Sequence, residues 1–254
     1  MKRLIPFLIW ILALLPILSL AQTKSRFKVL VLSENGGNHV KYSERAKVWL
    51  NQLAVDSNFT IDYIHNTEQI NTQFLKQYRL FIQLDYPPYA WTPTAADAFE
   101  KYVMQKRGAG WVGFHHATLL GEFDGYPLWK WFSNFMGGIT FKNYIPGFAS
   151  GSVKVEKTQH PVMKGVPNPF VIQKEEWYTY NRSPRQNVEV IASVDESSYE
   201  PDTKIKMGDH PVIWSNPKIL AKNVYIFMGH GPDLFDNEAY QLIFKNAIFW
   251  ATQN

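Results

Sequence analysis

Residues 108–138 read GAGWVGFHHATLLGEFDGYPLWKWFSNFMGG. The run Gly110-Trp111-Val112-Gly113-Phe114 is short and apolar, with small residues where a neighbouring backbone comes close. That is the pattern of a strand buried on both faces. His115 and His116 follow at once. In open α/β sheets ligands bind outside the carboxyl ends of strands, so a histidine pair at such an end is placed for chemistry. The plainer alternative is a turn-capping imidazole beside an exposed one. Behind the pair lies an aromatic amphipathic segment, residues 126–136.

Upstream, residues 27–33 (FKVLVLS) and 80–84 (LFIQL) read as buried parallel strands, and 59–64 (FTIDYI) as a strand with alternating polarity. A polar turn, 34–39 (ENGGNH), follows the first; its glycines free backbone N–H groups to face a ligand. Its spacing fits neither a dinucleotide fingerprint nor a phosphate loop. Residues 42–55 carry Ala46, Trp49, Leu50 and Leu53 at helical spacing, and 67–78 suggest a short helix. Asp85-Tyr86-Pro87-Pro88 reads as a rigid loop. Thr92-Pro93 starts a helix, a capping hydroxyl before a first-turn proline. Ala96, Phe99, Val103 and Met104 are expected inward, with a stop at Gly108. Strands alternating with helices predict a parallel sheet with right-handed crossovers, with 27–32 and 110–114 among its inner strands.

The second half changes character. Short strands are expected at 153–156, 170–173, 188–194, 210–214 and 224–228, the last running into Gly229-His230-Gly231. Residues 195–209 read as a polar insertion, and 242–250 as a closing amphipathic helix. No repeat, low-complexity tract or inter-domain linker is visible.

The 254 residues are 46% hydrophobic, enough for one large core. There is no cysteine, which excludes thiol nucleophiles, disulfides and thiolate metal sites. Lys2-Arg3, an apolar run over 4–20 and Ala21 form an export signal, so residues 1–21 are expected to be removed and 22–254 to form one domain. The exported chain is then periplasmic or secreted, with no stable membrane insertion. Loss of Lys2 and Arg3, and of no acid, lowers the formal net charge from +4 to +2. With basic residues scattered among acids, nucleic acid is not an expected partner.

GWVGFHHAT, WKWFSNFMGG, His160-Pro161, EEWY, GDHPVIW and VYIFMGH, in this order, resemble the trehalose-utilisation (ThuA-like) family over roughly residues 27–251. The resemblance implies a flavodoxin-like, class I glutamine amidotransferase-like α/β fold, a three-layer sandwich with a mainly parallel central sheet. It also implies a link to disaccharide or 3-keto-glycoside catabolism, with a small-molecule carbohydrate as partner. The family's usual Asp-Glu before the aromatic pair is Glu175-Glu176 here, and Glu176 is the position kept. The fold's amidotransferases use a cysteine after the central strand, where this chain has His115; cysteine-dependent amidotransfer is therefore excluded.

His39, His115, Glu176 and His230 are then the strand-end candidates. Three imidazoles and a carboxylate suit a divalent metal. The same groups suit metal-free acid–base work, with His115, Glu176 and His230 as catalytic residues. His39, His116, Trp177 and Tyr178 are expected on the substrate side, and Trp129, Trp177 and Tyr86 are candidates for stacking on a sugar face. His160 and His210 each precede proline and are assigned to turns; His65 is assigned nothing. Two classes stay open: an exported enzyme acting on a glycoside or oxidised sugar, and a non-catalytic carbohydrate-binding protein on the same fold.

Overall fold

A computed structural model describes residues 25–34 and 36–253; the export signal expected at 1–21 lies outside them. The first half alternates as the sequence predicts. Strands β1 (Lys28–Ser33), β2 (Thr60–Ile64), β3 (Leu80–Leu84) and β4 (Gly110–Phe114) are joined by helices α1 (Val40–Ser57), α2 (Thr72–Leu75) and α3 (Pro93–Gln105). A short helix α4 (Lys130–Phe135) follows. The second half contributes β5 (Phe141–Tyr144), β6 (Ala149–Val155), β7 (Phe170–Glu175), β8 (Tyr178–Tyr180), β9 (Glu189–Glu200), β10 (Pro211–Ser215) and β11 (Lys222–Ile226), then α5 (Glu238–Ala251).

Nine strands form one sheet in the order β2-β1-β3-β4-β11-β10-β9-β6-β7, and β5 pairs with β8 separately. Pairing is parallel from β2 through β11. It is antiparallel from β11 to β7. Both β1 and β4 are interior strands, as their two-sided apolar runs require. The chain leaves β1 for β2 on one side and returns to β3 on the other. That reversal opens a crevice at the carboxyl ends of β1 and β3, where such sheets bind ligands.

Side chains alternate across β4. Trp111 packs on Phe135 of α4 and Phe99 of α3 on one face, while Phe114 meets Phe244 of α5 on the other. Gly110 is there because α5 is: a Cβ would stand 2.2 Å from the Ala251 carbonyl oxygen. The α3 cap forms as predicted, Thr92 Oγ1 accepting from the Ala95 N–H at 3.2 Å.

Several expectations are corrected. The inward face of α3 is Ala95, Ala98, Phe99, Tyr102 and Val103; Met104 is exposed, and the helix ends at Gln105, before Gly108. Only Thr72–Leu75 of the segment 67–78 is α-helical, capped by Asn71. Within 126–136 only Lys130–Phe135 is. The closing helix begins at Glu238, four residues early, because the Asn237 side chain caps it on the Tyr240 N–H. The first six residues of the insertion expected at 195–209 are strand, since β9 runs to Glu200. Its polar residues escape the usual reading because they are satisfied internally. Glu196 is buried and accepts from the N–H groups of Met207 and Gly208 at 2.6 and 2.7 Å, and its carboxylate meets His210 Nδ1 at 2.9 Å. No helix among the described residues is long and apolar enough to cross a membrane.

Candidate functional site

Carboxyl ends of parallel strands gather the titratable groups. Glu34 and His39 follow β1, Asp85 follows β3, His115 and His116 follow β4, and His230 follows β11. From the antiparallel half, Glu175 ends β7 and Glu176 lies just beyond it. His115 and Asp85 have left-handed backbones, with φ of +33° and +64°. A non-glycine residue there costs about 1–3 kcal/mol, and such strain concentrates at functional sites. Gly229 permits the close approach of β11: a Cβ would come within 2.8 Å of the His115 Cβ. The His115 carbonyl accepts from Thr118 Oγ1 at 3.1 Å and from the Tyr225 hydroxyl at 3.0 Å, which holds the strained turn.

His39, His115, Glu176 and His230 converge: one ligand atom from each lies within 4.8 Å of all the others. Glu176 Oε2 is 3.4 Å from His115 Nε2 and 3.3 Å from His230 Nδ1, and His39 Nε2 is 2.9 Å from His230 Nδ1. His115 is fully buried. Its Nδ1–H donates to the Phe227 carbonyl at 3.2 Å, and a carbonyl can only accept. That fixes the tautomer, so the Nε2 lone pair faces the cluster, where it has no hydrogen-bond partner. His39 is 3% exposed, although it ends a glycine-rich turn. Its Nδ1 stands 3.4 Å from Glu34 Oε2 and 3.5 Å from Asp85 Oδ2.

Burial lowers the imidazoles, His39 to about 4 and His115 to about 3, so both are neutral and free to act as ligands near neutral pH. For Glu176 burial raises the carboxyl, but contacts with His115 and His230 outweigh it and hold it well below the usual range. Glu175 is the reverse: burial prevails and lifts it to about 7, although it accepts from the backbone N–H groups of Glu176 and Gly229.

The remaining sequence candidates divide. Tyr178 is buried with its ring 4.5 Å from that of His115, and His116 packs 4.1 Å from His39. Trp177, expected on the substrate side, is fully buried; its Nε1 donates to the Ala149 carbonyl and its ring stacks on Phe227. Tyr86 is buried and donates to the Ala90 carbonyl, and Trp129 donates to Glu100. The exposed ring beside the cluster is Phe148, 4.7 Å from His230. His160 does serve its turn, Nδ1 accepting from the Val162 N–H. His210 instead belongs to the buried Glu196 cluster. Glu34 and Asp85 carry no motif, and Glu175 lies in the EEWY motif as the acid at which the chain departs from the family's pattern. The signal that finds Glu34 and Asp85 is that each directly follows a buried parallel strand.

The family model for trehalose utilisation, ThuA, matches residues 28–251. A ThuA-like protein from Bacteroides uniformis ATCC 8492 is 32% identical, with 90% of this chain and 92% of that one covered and a TM-score of 0.80. Another from Parabacteroides merdae ATCC 43184 is 18% identical, covering 89% and 90%, with a TM-score of 0.64. A GMP synthase component from Thermoplasma acidophilum is 12% identical over 88% and 93%, with a TM-score of 0.54, and shares the fold alone. No curated protein matches the chain significantly. On the family match and the 32% identical relative, the chain belongs to the ThuA, trehalose-utilisation, family.

Proposed function

We propose that this is an exported enzyme of disaccharide or keto-glycoside catabolism, and that His39, His115, Glu176 and His230 hold a divalent cation at its active site. One observation carries the reading. The Glu176 contacts at 3.3 and 3.4 Å are longer than the ~2.7–2.9 Å of a charge-assisted hydrogen bond. Ligand atoms at about 2.1 Å from a common cation lie roughly 3.0–3.4 Å apart, depending on coordination geometry. Glu176 thus stands at the spacing of ligands from His115 and His230, while His39 and His230 are 2.9 Å apart, within hydrogen-bond reach, and His115 Nε2 has no partner. Three neutral imidazoles and one carboxylate suit zinc and its borderline neighbours.

A cation held there supplies Lewis acidity toward a sugar hydroxyl or carbonyl oxygen. The chain's own part is orientation and exclusion of water. The Phe227 carbonyl sets the His115 tautomer, Glu34 and Asp85 face His39 Nδ1, and Tyr178 closes one side. Phe148 offers an exposed apolar ring beside His230 for the flat face of a sugar. The family's link to trehalose utilisation supports a small carbohydrate as substrate. A sugar-binding protein without turnover needs aromatic and hydrogen-bonding groups but no such convergence of imidazoles. The test is the metal content of purified protein, then a screen of trehalose, other disaccharides and their 3-keto forms with and without chelator. Turnover of one of them that chelation abolishes is expected; turnover indifferent to complete removal of metal refutes the cation's role.

A further inference from the structure

The ion pairs of Glu34, Asp85, Glu175 and Glu176 are all with histidine. A single cation at the inner cluster uses Glu176 and leaves a second group, Glu34, Asp85 and His116, packed against the far nitrogen of His39. Glu34 Oε2 is 3.4 Å from His116 Nδ1 as well as from His39 Nδ1. Asp85 Oδ1 is 3.8 Å from His116 Nδ1, and Oδ2 is 3.5 Å from His39 Nδ1. One ligand atom from each of Glu34, His39, Asp85 and His116 again lies within 4.8 Å of the rest.

This second group is not satisfied as it stands. Asp85 is fully buried, and neither of its carboxyl oxygens has a hydrogen-bond partner; the His116 N–H is turned toward it but falls short of hydrogen-bond geometry. His116 Nδ1 is buried and equally unpartnered. The one N–H of His39 Nδ1 cannot satisfy two carboxylates. A buried carboxylate without a partner is costly, and it either keeps its proton or is neutralised by a cation. The backbone is bent to make the group: φ is +64° at Asp85 and +74° at Gly37, where an added Cβ would press within 3.0 Å of a Glu34 carboxyl oxygen.

We infer that Glu34, Asp85 and His116 form a second divalent-cation site, one imidazole ring away from the first. Two oxygens and one nitrogen make it harder than the inner set, so it accepts manganese as well as zinc and binds zinc more weakly. Its cation neutralises Glu34 and Asp85 and fixes the ring of His39 from behind. The inference rests on the inner site only through His39, which faces both groups.

The test strips the purified protein with chelator and reloads it with zinc or manganese. Bound cation is counted by elemental analysis after gel filtration, and affinities come from calorimetry. Wild type is expected to take two equivalents of zinc with unequal affinity. His116→Gln and Asp85→Asn should lose the weaker equivalent and keep the tighter; Glu176→Gln should do the opposite. Circular dichroism checks folding, and His116→Gln decides alone if Asp85→Asn does not fold. One equivalent in the wild type that Glu176→Gln abolishes and His116→Gln leaves unchanged overturns the second site. One equivalent that His116→Gln abolishes and Glu176→Gln spares overturns the inner site instead.

Discussion

Two pairings of histidine with glutamate in this molecule, Glu196 with His210 and Glu176 with His115 and His230, differ in kind. Glu196 meets His210 Nδ1 at 2.9 Å, takes two backbone N–H groups at 2.6 and 2.7 Å, and has the Tyr199 hydroxyl 3.1 Å from that same nitrogen. Glu176 stands 3.4 and 3.3 Å from His115 and His230, with His115 Nε2 unpartnered. The first is a closed hydrogen-bond set that ties the β9–β10 hairpin to the core. The second is open, with one nitrogen unpartnered and a ligand atom from each of four residues within 4.8 Å of the others. Residue type and burial do not separate the two; distance and satisfaction do.

The largest expected effect comes from opening the second pairing further. Glu176→Gln should lower affinity for the inner cation by ~100-fold or more, with turnover falling alongside, because the only anionic inner ligand is gone. His115→Ala should do the same and also destabilise. The sequence alone suggests a strand-end imidazole of little core value, but His115 is fully buried and satisfies the Phe227 carbonyl. A cavity and an orphaned carbonyl together predict a loss of about 2–3 kcal/mol by chemical denaturation. His65→Ala is the control: that residue is exposed, contacts Ser33 Oγ, and should leave cation binding untouched.

Breaking the first pairing should reverse the pattern. Glu196→Ala leaves a buried imidazole and two backbone N–H groups without their acceptor, a cost of about 3–5 kcal/mol. Cation stoichiometry of the folded fraction should be unchanged. For Glu196 burial raises the carboxyl, but His210 and the two N–H groups outweigh it and lower it. A lowered carboxyl stabilises the fold above its unfolded pKa and loses that contribution as pH falls through the folded value. Wild type should therefore lose stability in acid more steeply than Glu196→Gln. Equal slopes would show that the pairing is not ionic.

Much of the scaffold was legible in the sequence and rather less of the site. Residues 27–33 and 110–114 announce interior strands because both faces are apolar, and Thr92-Pro93 announces its helix by chemistry local to the chain. His39, His115, Glu176 and His230 could be named from strand ends and family motifs, and they converge. Glu34 and Asp85 could not, because an acid in a turn reads as solvated until the fold buries it. Trp177 fails in the opposite direction. Its neighbours in sequence face the cluster, but in the link between β7 and β8 its own ring turns into the core and stacks on Phe227. The β9 extension stays hidden because Glu196 is an apolar position in burial and a polar one in composition.

Glu175 separates proton chemistry from cation chemistry in the open cluster. Its carboxyl is raised to about 7 by burial, against an ordinary 4.5. Between those values the folded chain keeps a proton that the unfolded chain has released. Stability is therefore full below the unfolded value and falls as pH rises toward 7. In chelator-treated protein, Glu175→Gln should flatten that part of the pH profile. It should also lower stability in acid, because the amide nitrogen faces one of the two backbone N–H groups that the carboxyl now accepts. An unchanged slope between pH 5 and 7 would assign the titration to another group.

The smallest effect belongs to the outer tether of the closed region. Arg185 Nε and Nη2 donate to the two oxygens of Asp209 at 2.8 and 2.6 Å, and Nη1 and Nη2 donate to those of Glu156 at 2.7 and 2.9 Å. The guanidinium thus clamps the residue preceding His210 to the end of β6. The geometry is bidentate on both sides, yet the side chain is 40% exposed and water screens it. Arg185→Lys keeps the charge and loses the fork, so it should cost no more than about 1 kcal/mol and leave cation binding unchanged. Because the clamp sits beside Asp209, the loss should be non-additive with Glu196→Ala: once the buried pairing is gone, the hairpin is already loose. A double-mutant cycle by urea denaturation measures this directly. Full additivity would show that the exposed clamp and the buried pairing hold the hairpin independently, and the closed region would then be two structures instead of one.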